Sequence, residues 1–205
     1  MSRNGINPSF FPGPAVLMPL RSDWPAFYTQ FLTRTSGIRL PLVGMDGEPP
    51  ILVSACLAGL ATTHNGKAKP HPKVMELVRQ GRAILVCPEQ LGGLPTPRPC
   101  AEITAASASA SGAAVLAGEA QVVDVEGTDV TANYLRGAWE ALKAARLAGS
   151  TKAILKARSP SCGKDRIHDG TFAGVLKPGQ GVTAALLAQE GLEILSEDDL
   201  EGLEP

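Results

Sequence analysis

Three of the four cysteines, Cys56, Cys87 and Cys162, each follow a short apolar run: Val53-Ser54-Ala55-Cys56, Leu85-Val86-Cys87-Pro88-Glu89, and Ile154 through Ser161-Cys162-Gly163. Runs of this kind read as strands buried on both faces. In an open parallel sheet the carboxyl ends of such strands line the crevice where ligands bind, so three thiols distant in sequence are expected at one edge. A cysteine beside a β run also serves as a small buried hydrophobe. The company here is different: Pro88, Gly92, Gly93, Pro160 and Gly163 bring backbone close and fix turns, which an inert core cysteine does not require. No Cys-x-x-Cys is present, so a thioredoxin-type pair is absent. A tetrahedral zinc site would need a fourth ligand from Cys100, His64, His71 or His168, none at zinc-finger spacing. Three thiolates on an iron-sulfur cluster would leave one iron without a protein ligand, the vacancy that Lewis-acid chemistry needs. Spacing alone does not choose between these uses.

The elements that must position the cysteines are strands alternating with helices. Ile51 to Ala55 and Ala83 to Val86 read as buried strands, and Pro72 to Gln80 between them as a helix opened by Pro72 and stopped by Gly81. That is one βαβ unit with parallel strands. The Ala/Ser/Gly tract from Ala105 to Ala114 reads as a flexible loop, and Gln121 to Val130 as a hairpin turning at Glu126-Gly127. A long helix is expected from about Ala132 to Leu147, then a strand at Lys152 to Lys156, a helix at Val182 to Gln189 and a last strand at Leu192 to Leu195. The fold class is therefore α/β: a compact, Rossmann-like, mostly parallel sheet with helices on both faces.

Composition divides the chain. Of 205 residues, 44% are hydrophobic, and 19 Lys+Arg against 20 Asp+Glu give a net charge of -1. Residues 1–44 hold six of the nine aromatics and six prolines at net charge +3. Residues 45–205 carry net charge -4. The break predicts a single α/β domain over 45–205 and an N-terminal extension of unknown role over 1–44, or the product of an upstream start codon. Near-neutral charge and few aromatics exclude a surface that neutralises phosphates or stacks bases, so nucleic acid is not an expected partner. No stretch approaches the ~20 apolar residues of a membrane span and no secretory signal opens the chain, which predicts a cytoplasmic protein with no membrane partner.

Several segments, in order, resemble one bacterial family. They are Ser54-Ala55-Cys56-Leu57-Ala58-Gly59; Cys87-Pro88-Glu89 with Leu91 through Pro99 and Ala101-Glu102-Ile103; Ser159-Pro160-Ser161-Cys162-Gly163; Asp169-Gly170-Thr171-Phe172; and Pro178-Gly179-x-Gly181 through Leu187. The family, once classed as a domain of unknown function (523), includes the 2-thiouracil desulfidases, and the match spans about residues 50 to 197. The resemblance implies a 4Fe-4S cluster held by Cys56, Cys87 and Cys162 with one open iron. It also implies non-redox removal of sulfur from a small thiolated pyrimidine, with Glu89 and Ser159 as the catalytic pair. A soft thiocarbonyl sulfur prefers thiolate-ligated iron to magnesium or calcium, and Glu89 could act as general base on a water. Without the resemblance, Glu89 reads as a solvated strand-end carboxylate, and Ser159 and Ser161 as turn caps beside Pro160. Ser161, in the same motif as Ser159, is a candidate substrate-binding residue with Asp169, Thr171 and Phe172. The Phe172 ring would stack on a pyrimidine or serve as a core anchor. Thr62-Thr63-His64-Asn65-Gly66 stands where many relatives carry Cys-Arg-Tyr-Asp-Gly.

Two other readings compete. The cluster or metal could staple the fold of a sulfur-carrier or binding module that has no turnover. Gly179-x-Gly181-x-x-Ala184 with Glu197 imitates a dinucleotide fingerprint, but Pro178 interrupts the approach and too little chain follows. That turn is expected instead to aim free helix N-terminal N–H groups at a polar part of the substrate. The histidines read as loop residues.

Overall fold

The computed structural model describes residues 48–104 and 110–200. The expected extension over 1–44 lies outside the described residues. In chain order the elements are β1 (Ile51–Ser54), a 3-10 turn (Ala55–Ala58), α1 (Pro72–Arg79), β2 (Ala83–Val86), α2 (Pro88–Leu91), β3 (Ala101–Thr104) and α3 (Gly112–Ala117). There follow β4 (Gln121–Asp124), α4 (Thr131–Ala148), β5 (Lys152–Leu155), β6 (Arg166–His168), β7 (Leu176–Pro178), α5 (Val182–Gln189), β8 (Glu193–Ser196) and a closing 3-10 turn (Glu197–Leu200).

The central sheet is parallel, in the order β2-β1-β5-β8. The chain moves from β1 to β2 on one side and places β5 on the other, so the order reverses between β1 and β5, the kind of switch point that opens a crevice. Alternation along the strands covers both faces. Ile51, Val53, Ala83, Leu85, Ile154 and Leu195 pack with Val74, Leu77 and Val78 of α1. The alternate residues Leu52, Ala153 and Leu155 are fully buried, and α4 lies against β1 and β2. α1 opens with Pro72 in its first turn. Just ahead of α4 the Asp129 carboxylate accepts the Thr131 N–H at 2.8 Å, and the helix closes at Gly149 in the left-handed conformation.

Three expectations are corrected. β4 pairs over its length with β3, antiparallel from Ala101↔Asp124 to Thr104↔Gln121. β3 escapes a reading by apolar pattern because its centre is a buried carboxylate, Glu102. The Glu126-Gly127 turn does form, with the Asp124 carboxylate accepting the N–H groups of Glu126 and Thr128, but its return arm is a single bridge, Val123↔Asp129. The described end of the small-residue tract is the start of helix α3, where a Cβ on Gly112 would stand 2.3 Å from the Gly181 carbonyl oxygen. Small residues there serve close packing on α5. Finally, His168 lies on strand β6 and not in a loop.

α2 and α4 meet backbone to backbone. A Cβ on Gly137 would fall 1.9 Å from the Pro88 carbonyl oxygen, one on Gly92 2.0 Å from that of Asn133, and the Asn133 amide donates to the Gly92 carbonyl at 2.9 Å. Gly137→Ala therefore sets two effects against each other. Helix propensity gains about 1 kcal/mol, while overpacking against rigid backbone costs about 3 kcal/mol. Overpacking wins, and thermal unfolding should show Tm lowered by roughly 4–8 °C; an unchanged or raised Tm would mean the helices separate freely.

Candidate active site

Strand register fixes where the cysteines emerge. Ser54 lies opposite Val86 and Val53 opposite Ile154. Cys56, Cys87 and the chain leaving β5 after Leu155 thus depart from one edge of the sheet, on either side of the switch point. The last segment returns as a tight loop in which the Ser159 hydroxyl accepts the N–H groups of Ser161 and Cys162, both at 3.1 Å. All four cysteines are free. Cys56 and Cys162 are buried, Cys87 half-buried. Burial first, and then the neighbouring Cys87, pushes the Cys56 thiol up to about 11, with Lys156 opposing. Burial raises Cys162 further, Glu89, Cys56 and Cys87 add to it, and a hydrogen bond with Ser54 opposes. Cys162 thus lies in the field of both other cysteines, and Cys56 in that of Cys87. Cys100, half-buried before β3, has its carbonyl bonded by the Val125 N–H.

Glu89, in the first turn of α2, faces this group. Its carboxylate accepts the Arg98 Nε–H at 2.6 Å, with side chains 13% and 4% exposed. Arg98 also donates to the carbonyls of Pro95 (3.1 Å) and Thr62 (3.0 Å) and to the Thr96 hydroxyl (2.9 Å), and stands 4.0 Å from the Cys87 sulfur. Burial opposes its charge, but Glu89 outweighs burial and holds the guanidinium protonated. Tyr134, on the first turn of α4, hydrogen-bonds Glu89. Burial, then the Glu89 charge, drives its phenol well above the usual range, so it stays a donor. The α2–α4 approach is what brings the phenol to the carboxylate. Sequence reasoning passed over Arg98 and Tyr134 as site residues; the signals were an arginine inside a proline-rich motif and a tyrosine on an otherwise apolar helix face.

Other candidates are used differently. Ser161 is fully enclosed, its hydroxyl 2.9 Å from that of Thr183. Asp169 accepts the N–H (3.0 Å) and hydroxyl (2.6 Å) of Thr171, which pulls its carboxyl below the usual range. Glu102 straps that turn to β3 by accepting the N–H groups of Gly170 (2.9 Å) and Phe172 (3.1 Å), with Phe172 in left-handed backbone at φ 59°. The expected free N–H groups at the start of α5 are not free. Gly181, Val182 and Thr183 donate to the carbonyls of Gly163, Pro160 and Ser161 at 2.8–2.9 Å, and a Cβ on Gly181 would lie 2.5 Å from the Ser161 carbonyl. This glycine turn docks the third cysteine loop onto a helix. Glu197, the acid of the dinucleotide imitation, instead pairs with Lys156 and accepts the Ala157 N–H at 2.6 Å.

Among the described residues, no three His, Cys, Asp or Glu side chains are gathered tightly enough for a single metal ion. A cluster distributes its ligands over different irons, which suits sulfurs that interact without converging on one point. The donor set fits such a group: three unoxidised thiols, of which Cys56 and Cys162 are kept neutral by burial until metal replaces the proton. The buried Thr62 hydroxyl, on the residue whose carbonyl takes the Cys87 S–H at 3.6 Å, has no hydrogen-bond partner.

Known proteins resemble this chain over the same region. A family model described as 2-thiouracil desulfurase matches residues 51–199. An uncharacterized protein of Bacillus subtilis (strain 168), YbbK, is 44% identical over 150 residues, 73% of this chain and 97% of its own length. The solved structure of a 4Fe-4S-dependent thiouracil desulfidase, TudS, aligns with a TM-score of 0.65 at 41% identity, covering 75% of this chain and 93% of that one.

Proposed function

The chain belongs to the 2-thiouracil desulfurase family, and we propose that it hydrolyses a thiolated pyrimidine such as 2-thiouracil to uracil and sulfide without net oxidation or reduction. The observation that supports this reading is the register that sends Cys56, Cys87 and the chain toward Cys162 off one end of the sheet, with Glu89 two residues past Cys87 and paired to Arg98, whose guanidinium stands 4.0 Å from the Cys87 sulfur. Cys56, Cys87 and Cys162 would hold a 4Fe-4S cluster with one iron open, a soft Lewis acid able to polarise a thiocarbonyl through its sulfur. In the reaction a water oxygen bonds the thiocarbonyl carbon, the carbon–sulfur bond breaks, and the water protons end on the departing sulfur.

This chain's own residues handle the protons. A carboxylate offers about four lone-pair positions; Arg98 and Tyr134 take two at Glu89, and the remainder can hold a water and accept its proton. Two fixed donors set the carboxylate plane and keep it an acceptor. Ser159 is complementary: with both acceptor positions taken by backbone N–H groups, it has one O–H to give, to the substrate or the leaving sulfur. Ser161, fully enclosed with its hydroxyl against that of Thr183, is shut off from an incoming substrate. Phe172, half-buried at the tip of the Asp169–Thr171 turn, is the proposed stacking surface for the pyrimidine. Phe172→Ala should raise KM about 10-fold while kcat stays within about twofold; steady-state kinetics with an unchanged KM would remove the ring from binding.

Anaerobic purification tests the reading as a whole. The protein should be brown, absorb broadly at about 400 nm, contain iron and acid-labile sulfide, and release one sulfide per uracil formed from 2-thiouracil. Cluster-loaded protein that binds thiopyrimidines without turnover would make it a carrier or binding module instead.

A further inference from the structure

The residue whose carbonyl takes the Cys87 S–H also carries a buried hydroxyl with no hydrogen-bond partner. The Thr62 carbonyl is bonded twice, by the Cys87 S–H at 3.6 Å and by Arg98 Nη2 at 3.0 Å, and Nη2 also stands 4.0 Å from the Cys87 sulfur. Thr62 is 8% exposed and its hydroxyl is wholly enclosed without a partner. Buried hydroxyls are normally bonded, and one left unbonded calls for an explanation. A cysteine that ligates iron does so as the thiolate, which has no hydrogen to give and can only accept. Ligation therefore inverts what this spot requires, from an acceptor to a donor. Thr62 carries both, its carbonyl already shared with Arg98 and its O–H unspent. His71 and His168 also have a buried ring nitrogen without a hydrogen bond, that of His168 standing 4.0 Å from Glu102, but among the described residues neither hydrogen-bonds a cysteine sulfur.

We propose that Thr62 is a positioning residue of the cysteine centre: its O–H, beside the Arg98 guanidinium, hydrogen-bonds the sulfur that Cys87 presents when it ligates iron. The inference rests on the iron-sulfur reading above. Hydrogen bonds to ligand sulfur favour the more negatively charged, reduced cluster and so raise its potential. In Thr62→Val the shape is kept and the donor removed. The cluster midpoint, followed by anaerobic redox titration of the holoprotein, should move to lower potential, and in Thr62→Ser it should stay at the wild-type value. The cluster-free proteins supply a reading of opposite sign. Replacing an unbonded buried hydroxyl by a methyl group should leave Tm equal or raise it, whereas a hydroxyl serving the fold alone would lower Tm on removal. A midpoint equal to wild type in Thr62→Val, a Thr62→Ser midpoint that follows Thr62→Val, or a lower Tm of cluster-free Thr62→Val each overturns the inference. Wild-type protein that takes up no iron overturns the underlying reading as well, so the two failures are told apart.

Discussion

Cys87→Ser should emerge from anaerobic purification colourless, with at least ~100-fold less turnover of 2-thiouracil, yet folded. The serine hydroxyl is a hard donor that keeps its proton at neutral pH, and iron that selects thiolate gains little from it. Cys87 is half-buried and its thiol makes only weak contacts, to the Thr62 carbonyl at 3.6 Å and with Arg98 Nη2 at 4.0 Å, so the exchange leaves no large void and circular dichroism should be unchanged. Cys100→Ser is the matched control. That residue is also half-buried, but it lies on the loop ahead of β3 and its backbone carbonyl, not its thiol, makes the bond to Val125. Iron content and turnover should survive there. A brown, active Cys87→Ser protein would take Cys87 out of the ligand set and leave two sulfurs, too few for the proposed centre.

The strands that lead to the cysteines could be read because a parallel strand buried on both faces has to be apolar without interruption. Leu52-Val53, Ile84-Leu85 and Ala153-Ile154 satisfy that, and their ends are sharp. Strand β3 obeys a different rule. Glu102 at its centre is buried to hold the Gly170 and Phe172 N–H groups, so its polarity reports a partner some 70 residues away, which no local pattern contains. The Gly179–Gly181 turn shows the same limit from the other side. Glycine before a helix suits anion binding and suits close backbone packing, and only the carbonyls of Pro160, Ser161 and Gly163 decide for packing. Arg98 and Tyr134 reach Glu89 through a loop and a helix crossing made by Gly92 and Gly137. The positions of the cysteines past strand ends were legible along the chain, whereas Arg98 and Tyr134 are joined to Glu89 only by the tertiary fold.

Glu89→Gln should keep the colour and lose the reaction, because it removes a negative charge and a proton acceptor while preserving size. The amide oxygen can still accept from Arg98 Nε–H, but the guanidinium, with its side chain 4% exposed, then lacks a counter-charge. A charged hydrogen bond weakened in this way costs about 2 kcal/mol, or roughly 4–8 °C in Tm for a domain of this size. A domain stable by about 5–15 kcal/mol remains folded at 25 °C after that loss. The rate measured there reports chemistry and not unfolding. General-base catalysis contributes about 10²- to 10⁴-fold, so kcat should fall by that factor in protein with wild-type iron and sulfide content. Substrate binding, which the proposal assigns to other groups, should change far less, and KM separates the two. If the variant keeps its iron and its kcat, Glu89 serves Arg98 and the fold, and the base must be sought elsewhere around the three sulfurs.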